Sequence, residues 1–463
     1  MPYFTEPVIA GDGVTDDAPA INAALADPAA TIVVLPAATI AVGSSITIPS
    51  GKSLRGSGRD ATVLIPTTTF DPVAVTNALV TTDQGAVGIG VFDLLIDAQK
   101  IKPVVEDIAI RVSALQLRQT RRFTVARVDV RNCSGYGHHA AGLPGETPVF
   151  CGDGIWEDCR SWNCNVHFEQ QVGEDIVVRD CASYDGDGDV PCENYFHPLD
   201  RSRRILYDRC RVRGVSYGSI LYPTDNIPLE DISFHQCDFE TSQMAIAAAP
   251  DGIGVNRLGL YGCRFVSTGT FGGQFSSSNG RIIGCDFAGK TNGLRFFGGD
   301  FDVEGSRVTA TNNSGEAVYG VLAPAGVMWN GGSISATGIA QTFTVVGGAR
   351  VSRETRLSSH PNGVRVNTAQ TNVLIVFSDA NRTVSLDRNA AQNFVVYNDS
   401  AIAFPEGSTV DVVAGGVGAK ALLPDTGVTI RSPTGTIGIA AYGSVRLTKL
   451  AAANTWRVSG DLI

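Results

Sequence analysis

One short pattern recurs through the middle of this 463-residue chain. Its clearest copies read Asp231-Ile-Ser-Phe-His-Gln-Cys-Asp-Phe239 and Arg257-Leu-Gly-Leu-Tyr-Gly-Cys-Arg-Phe265. The cysteine serves as an anchor, and successive anchors are separated by 21 residues (Cys285 to Ser306) to 29 residues (Cys181 to Cys210). The anchors are Cys133, Cys159, Cys181, Cys210, Cys237, Cys263, Cys285, Ser306 and Gly332. A repeat of this length predicts a solenoid.

The residues around each anchor follow the alternation of β-strands. Ile232 and Phe234 precede Cys237 by five and three positions, and Phe239 follows it by two. A spacing of two points one side chain inward and the next outward. The interval of three residues between Phe234 and Cys237 is odd, so the alternation shifts between them, which indicates a corner. Strands at a fixed offset stack in parallel about 4.8 Å apart, so we predict an all-β parallel β-helix with a ladder of small anchor side chains inside a corner.

The charge and hydropathy of the chain exclude two classes of partner. The 36 basic and 46 acidic residues give a net charge of −10, which argues against binding to nucleic acid. No apolar run reaches about 18 residues, so no membrane insertion is predicted. The start, Met-Pro-Tyr-Phe-Thr-Glu, lacks a basic segment followed by an apolar one. We therefore expect no signal peptide and synthesis in a host cytoplasm.

The ten cysteines do not suggest a disulfide framework. Seven of them are anchors, where a free thiol acts as a small buried apolar group. Cys151, Cys164 and Cys192 are placed in turns. No pair has the CxxC spacing of zinc ligands, so we predict no metal site and no cofactor.

The chain opens with Gly11-Asp-Gly-Val-Thr-Asp-Asp17 and a short helical pattern. Asp16 or Asp17 is expected to cap the helix, Pro19 lies in its first turn, and Ile21, Ala24 and Leu25 form its apolar face. We predict that this helix caps the first coil, since an open end would expose unpaired strand edges.

The opening motif, the Leu35-Pro36 step and the Leu54-Arg-Gly-Ser-Gly58 turn resemble the pectate-lyase-like family, in particular its phage tailspike and polysaccharide depolymerase branch. The resemblance implies a right-handed parallel β-helix. It also implies a virion protein whose partner is a bacterial surface polysaccharide, such as a capsule, an exopolysaccharide or an O-antigen. It does not fix one reaction, because lyases, hydrolases and inert fibres share this start.

The sequence predicts four regions: an N-terminal cap and first coils at 1–60, the β-helix at 61–345, a linker at 346–366 and a β-rich module at 367–463. Strands separated by short turns indicate a small antiparallel sandwich or barrel in the last region. Its end, Asn454-Thr-Trp-Arg-Val-Ser-Gly-Asp461, resembles the ends of phage tail and fibre proteins. That resemblance implies a homotrimer attached to a phage tail or another virion component.

Several details of the coils are predicted from spacing alone. Asp97 takes the anchor position of an early coil, and the interval to the next anchor indicates an insertion around residues 100–106. The His138-His139 pair lies in a Gly-rich excursion, where a histidine is usually solvated.

Acidic residues are concentrated between Ser183 and Pro198. When the coils are superposed by their anchors, this segment lies beside His167 and Glu169 of the coil before it and beside Tyr222 and Asp225 of the coil after it. The candidate catalytic residues are Asp187, Asp189, Glu193, His197, Glu169 and Asp225, and the candidate substrate-binding residues are Tyr222, Trp162, Arg201 and His167.

Three interpretations of this patch stay open. In an inverting glycosidase, one carboxyl group protonates the leaving oxygen and a second one, roughly 6.5–9.5 Å away, activates water. In a lyase, a neutral base such as His197 or Tyr222 removes a proton beside a uronate carboxylate, with Arg201 nearby. In the third interpretation the acidic residues form a structural polar turn that binds its own backbone or a cation. The segment is not an EF-hand, because Phe196 stands where the twelfth-position glutamate is needed.

We expect a tailspike-type protein that binds and degrades a polysaccharide, with glycoside hydrolysis favoured over β-elimination. The first alternative is a receptor-binding fibre without activity. The second is a bacterial polysaccharide lyase or epimerase, which the start of the chain disfavours.

Overall fold

The computed structural model divides into two compact units, residues 1–286 and 287–463. It describes residues 3–70, 78–99, 112–185, 192–214, 216–223, 227–248, 254–276, 278–312, 318–323, 327–338, 342–347, 350–351, 356–358, 364–367, 372–374, 382–386, 391–399, 404, 406–414, 418–433 and 437–463. Across these ranges, no helix is both long and apolar enough to cross a bilayer.

The first unit is a right-handed parallel β-helix, as predicted. Each full coil contributes three strands, and each of them pairs in parallel with the equivalent strand of the next coil, which gives three parallel sheets. Three long strands turn corners and serve more than one sheet: Val87–Asp97, Arg121–Ala141 and Arg160–Gln171. The first sheet adds Phe4–Thr5, Ile32–Val34, Ser53–Arg55, Cys151–Glu157, Gly173–Arg179, Arg203–Asp208, Leu229–His235, Val255–Asn256, Leu258–Tyr261 and Gly280–Ile283. The second sheet adds Asp12–Asp16, Thr39–Val42, Val63–Pro66, Ala182–Tyr184, Arg211–Gly214, Asp238–Thr241 and Arg264–Ser267, and the third adds Ile46–Ile48, Ala78–Thr82, Ser113–Arg118, Asn194–Leu199, Tyr217–Leu221, Met244–Ala248 and Phe271–Phe275.

The corner between the first and second sheets has one conformational cause. The residue before each anchor adopts a left-handed backbone, for example Asp180 (φ 54°), Arg209 (φ 52°) and Gly262 (φ 62°). One left-handed residue reverses the side-chain alternation, which is the shift seen in the sequence. The anchors that follow are buried free thiols, and the Sγ of Cys210 donates to the carbonyl of Val178 at 3.3 Å. The predicted ladder is confirmed from Cys159 onward.

Two early anchors were assigned wrongly. In the register of the first sheet, Val125 pairs with Trp156, so Val128 takes the position of Cys159 in the coil before it. Cys133 instead pairs with Cys164 at the corner between the second and third sheets. Left-handed Asn132 and Asn163 precede these two cysteines, so both corners show the same local pattern of a left-handed residue followed by cysteine.

Asp97 is also not an anchor, because it pairs in register with Arg131. Its carboxylate accepts hydrogen bonds from the Arg131 Nε at 2.7 Å and the Asn132 Nδ2 at 2.9 Å. This coil has Leu94 at the anchor position, after left-handed Asp93 (φ 56°). The predicted insertion at 100–106 lies outside the described residues.

The predicted N-terminal helix is present as Ala18–Ala26, and it buries Ala18, Ile21 and Leu25. Asp17 occupies the N-cap position, but its carboxylate accepts hydrogen bonds from the backbone N–H groups of Ala10 and Gly11 instead of capping the helix. The Oδ1 of Asp16 accepts from the Ala18 N–H at 3.1 Å. The aspartates of the opening motif therefore have structural roles.

The second unit starts inside the strand Asp286–Gly289 and begins with coils of the same kind. Its coil strands pair in parallel with the equivalent strands of the next coil. They are Asn292–Phe296, Phe301–Glu304, Arg307–Asn312, Val318–Ala323, Val327–Asn330, Ser333–Gly338, Thr342–Gly347, Arg350–Val351 and Arg356–Ser358.

The unit ends in two small sheets over one apolar core that includes Phe394, Val412 and Trp456. One contains Val364–Asn367, Arg382–Leu386, Thr409–Ala414, Ser444–Lys449, Thr455–Gly460 and Thr429–Arg431; the other contains Asn372–Leu374, Gln392–Val396, Lys420–Pro424 and Gly438–Ile439. The expectation that these strands pair antiparallel was wrong for most pairs. The chain visits the two sheets alternately, so most neighbours within a sheet run parallel. Among the described strands, 438–439 pairs antiparallel with 420–424, and 444–449 pairs antiparallel with 409–414 and 455–460.

Candidate active site

A row of polar side chains crosses the third sheet of the first unit. In the strand register, Gln116 pairs with His139, His139 with Glu169, and Glu169 with His197. These four residues therefore lie on consecutive coils, about 4.8 Å apart, and share one side of the sheet. The adjacent residues His138, Phe168 and Phe196 point to the opposite side, where their rings stack inside the coil. The row of four thus belongs to the outer side of the sheet.

Glu169 and His197 form the central pair of this row. The Nδ1 of His197 lies 2.7 Å from the Oε2 of Glu169. The Glu169 side chain is only 1% exposed, and that of His197 is 12% exposed. Because a carboxylate accepts hydrogen bonds, Nδ1 is the donor, and the Nε2 of His197 is left to exchange a proton with another molecule.

His139 lies on the other side of Glu169. Its Nδ1 is 3.3 Å from the Oγ of Ser113 and 3.5 Å from the Nε2 of Gln116. Burial lowers the pKa of His139 to about 4, although the charge of Glu169 and a hydrogen bond with Gln171 oppose this shift. His139 is therefore a neutral imidazole at physiological pH, on the coil next to the carboxylate that His197 contacts.

No group of three histidine, cysteine, aspartate or glutamate side chains in the described ranges is arranged to hold a metal ion. The row can instead move protons, because it combines a buried carboxylate, a neutral imidazole and a second imidazole that is partly accessible.

Comparison with known proteins connects this architecture to a family. Residues 7–184 match the family model described as rhamnogalacturonase A/epimerase, pectate lyase-like. The chain carries a pectate-lyase-like parallel β-helix. The matched residues include Gln116, His139 and Glu169 of the row and end before His197. No curated protein sequence matches the chain.

Solved structures share the fold at low sequence identity. The N-terminal fragment of bacteriophage phi29 gene product 12 superposes with a TM-score of 0.50 at 14% identity, covering 84% of this chain and 80% of that chain. DFA-IIIase from Arthrobacter chlorophenolicus A6, in complex with GF2, gives a TM-score of 0.50 at 11% identity, covering 71% of this chain and 91% of that chain. The A-module of the Azotobacter vinelandii mannuronan C-5 epimerase AlgE6 gives 0.47 at 15% identity, covering 76% and 93%. At these identities the likeness concerns the fold alone.

The pectate-lyase-like β-helix brings some of the predicted site residues together. Glu169 and His197 are in contact. Tyr222 pairs in register with Leu199, so it lies one coil beyond His197 and two residues along the same sheet. Arg201 follows the strand of His197 in a left-handed turn (φ 49°) and is half-buried.

Other predicted residues lie elsewhere. Glu193 is exposed and precedes His197 by four residues of extended chain, roughly 13 Å. His167 is completely buried, with its Nδ1 3.0 Å from the Ser161 carbonyl and a pKa lowered by burial to about 3, which suits packing rather than substrate contact. Trp162 belongs to the second sheet, away from the row. Asp187, Asp189 and Asp225 lie outside the described residues.

Sequence reasoning missed His139 and misplaced its neighbour. The pair was expected in a solvated excursion, but both residues belong to the strand Arg121–Ala141, with His138 0% and His139 5% exposed. The ring of His138 stacks on Phe168 at 4.5 Å. The available signal was the alternation of Tyr136, His138 and Ala140, which continues the strand beyond Cys133. Assigning Cys133 to the wrong corner concealed it.

Proposed function

We propose that this protein binds a bacterial surface polysaccharide as a virion component and cleaves it on the outer side of the third sheet. The observation that carries the proposal is the hydrogen bond between the buried Glu169 and the partly exposed His197. A buried carboxylate holds the imidazole in one tautomer and stabilises its protonated form, which prepares His197 for general acid–base catalysis. The family description, which names a rhamnogalacturonase and an epimerase, supports a polysaccharide as the substrate.

Hydrolysis of a glycosidic bond is the favoured reaction. The Nε2 of His197 takes a proton from water as the water oxygen bonds to the anomeric carbon, while an acid gives a proton to the departing glycosidic oxygen. Asp187, Asp189 and Asp225 are the candidates for that acid. The Glu169 carboxylate remains hydrogen-bonded to Nδ1 and offsets the positive charge that forms on the imidazole.

β-Elimination is the second candidate, because the partly exposed imidazole of His197 can act as the base and the half-buried Arg201 follows the same strand. In this reaction the base removes the proton beside a uronate carboxylate, the sugar gains a double bond and the glycosidic oxygen leaves with its electron pair.

One assay separates these reactions. Purified capsular polysaccharides and exopolysaccharides are incubated with the protein, and both reducing ends and the ultraviolet absorbance of unsaturated uronates are followed. Hydrolysis gives reducing ends alone, whereas elimination gives both signals. If neither signal appears while the protein still binds bacterial cells, the proposed cleavage is wrong and the protein is an adhesin.

The virion context is tested separately. The phage phi29 gene product 12 fragment has a similar fold, and we propose the homotrimer that the sequence predicts. Sedimentation equilibrium should then give a mass of about three times 48.7 kDa. A monomeric mass would contradict the trimer and favour a cellular enzyme.

A further inference from the structure

A second feature lies on the outer side of the second sheet. Arg160, Ala182 and Arg211 occupy one register row on three consecutive coils. The small side chain of Ala182 leaves a hollow between the two arginines, whose Cα atoms are about 10 Å apart by two strand spacings. The resulting groove has a volume of about 550 Å³, and its lining includes Asp158, Arg160, Asp180, Ala182, Tyr184 and Arg211.

The groove has an excess of available positive charge. The carboxylate of Asp180 is paired with Arg209 at 2.8 Å, and that of Asp158 is paired with Arg59 at 2.8 Å. Among the described carboxylates, Arg160 pairs with that of Asp129 alone, with its Nε 3.7 Å from Oδ2.

Arg211 is exposed and forms no ion pair with a carboxylate of the described chain. The acidic groups of the groove are thus neutralised, while the arginines at its two ends remain open to a ligand.

Aromatic rings form one side of the same surface. Trp162 and Tyr184 pair in register on the coils of Arg160 and Ala182, two residues further along. Tyr184 is 37% exposed and Trp162 is half-buried. Flat rings beside guanidinium groups match the two surfaces of an acidic sugar, namely its apolar ring face and its carboxylate.

We propose that this groove binds a carboxylate-bearing sugar of the polysaccharide. Arg160 and Arg211 donate hydrogen bonds to carboxylates, and the sugar ring lies over Ala182 against Tyr184. The proposal rests on the proposed polysaccharide binding but not on cleavage. The groove lies on a different sheet from Glu169 and His197, so it binds the polymer at a place separate from the site of cleavage.

The test uses four variants and a matched control. Arg160→Gln and Arg211→Gln remove the cations, separately and together, and Tyr184→Ala removes the ring. Arg281→Gln removes an exposed arginine of the first sheet that has no ion pair in the described chain. Calorimetry measures the binding of tetragalacturonate, a hyaluronan tetrasaccharide, a purified acidic capsular polysaccharide and, as the neutral probe, maltotetraose.

At least one acidic probe should bind, and maltotetraose should not bind at this groove. Each arginine replacement should raise the Kd about tenfold, because a charge-assisted hydrogen bond is lost, and added salt should weaken binding. Arg281→Gln should leave the Kd unchanged.

Three results would overturn the proposal: no acidic probe binds, the doubly substituted protein binds like the wild type, or the substitutions change the native mass without changing binding. The last result would mean that a second copy of the chain covers this surface. Glu169→Gln separates the two proposals, since it should abolish cleavage and leave this binding intact. If the protein cleaves polysaccharide but its binding does not depend on the two arginines, the proposed binding groove is wrong and the proposed cleavage stands.

Discussion

Glu169 and His197 lie opposite each other on neighbouring coils, with the Oε2 of Glu169 2.7 Å from the Nδ1 of His197. The carboxylate is almost completely buried, whereas the imidazole retains some exposure. Parallel stacking fixes the backbone of both residues, so neither side chain has to be ordered by a substrate. The pair therefore has the rigidity that acid–base catalysis requires.

Replacing Glu169 by glutamine should abolish most of the activity while preserving the fold. The amide keeps the shape of the side chain but cannot stabilise a protonated His197, so we expect kcat on a cleaved polysaccharide to fall about 10²–10⁴-fold. His197→Ala should have a similar effect, and the double substitution should cost little more than either single one, because the two residues act together.

Two control variants accompany this measurement. Glu304→Gln removes an exposed carboxylate that has no ion pair in the described chain, and His235→Ala removes an imidazole from the first sheet. Both should retain wild-type activity. Full activity in Glu169→Gln would refute the catalytic role of the pair.

The regular part of this fold could be predicted from the sequence. A strand alternation that shifts at each anchor encodes the corner, and the structure explains it by left-handed residues such as Gln236 (φ 51°) and Gly262 (φ 62°). Because the same local chemistry returns in every coil, even a single chain carries several copies of the signal.

The exceptions have a physical origin. In sequence, Asn132-Cys133 resembles an anchor and the residue before it. In the structure, left-handed Asn132 forms the corner between the second and third sheets, where Cys133 pairs with Cys164. Local pattern does not show which strand a residue stacks on. Superposition of the coils by their anchors placed Glu169 beside the segment that contains His197 but did not predict their contact, and His139 was lost with the misassigned corner.

Three buried histidines should make the protein unstable in acid. Burial lowers the pKa values of His138 and His167 to about 3 and that of His139 to about 4, from an ordinary 6.5. Below pH 6.5 the unfolded chain gains protons that the folded chain does not. The free energy of unfolding should therefore decrease as the pH falls from about 6.5 to 4, by up to about 1.4 kcal/mol per pH unit for each histidine.

The variant His138→Phe tests this origin. Phenylalanine preserves the stacking of this ring on Phe168, but it does not titrate. Denaturant unfolding between pH 7 and 4 should show a smaller loss of stability in this variant than in the wild type. The carboxylates contribute equally to that loss in both proteins. An identical pH dependence would assign the acid sensitivity to other groups.

Gly284 should be needed for its backbone conformation alone. It precedes the anchor Cys285 with φ 60°, and a Cβ atom added there would have no heavy atom within 4 Å. Gly284→Ala should therefore lower the free energy of unfolding by about 1 kcal/mol through backbone strain without a steric clash. Gly284→Asn should cost less, because asparagine tolerates this conformation. Equal stability of all three proteins would contradict the strain.

Cys237 should tolerate serine and reject a larger side chain. Its Sγ donates to the carbonyl of His235 at 3.5 Å, and the Oγ of Ser306 makes the equivalent bond to Glu304 at 3.2 Å further along the series. Serine can therefore satisfy its hydroxyl at this position, so Cys237→Ser should cost no more than about 1 kcal/mol in the free energy of unfolding. Cys237→Leu should cost about 1–3 kcal/mol, because the corner is closed and the anchor is 1% exposed. The described cysteines are free thiols, so a reducing agent should change neither value. A large loss in Cys237→Ser would show that the ladder depends on sulfur rather than on small size.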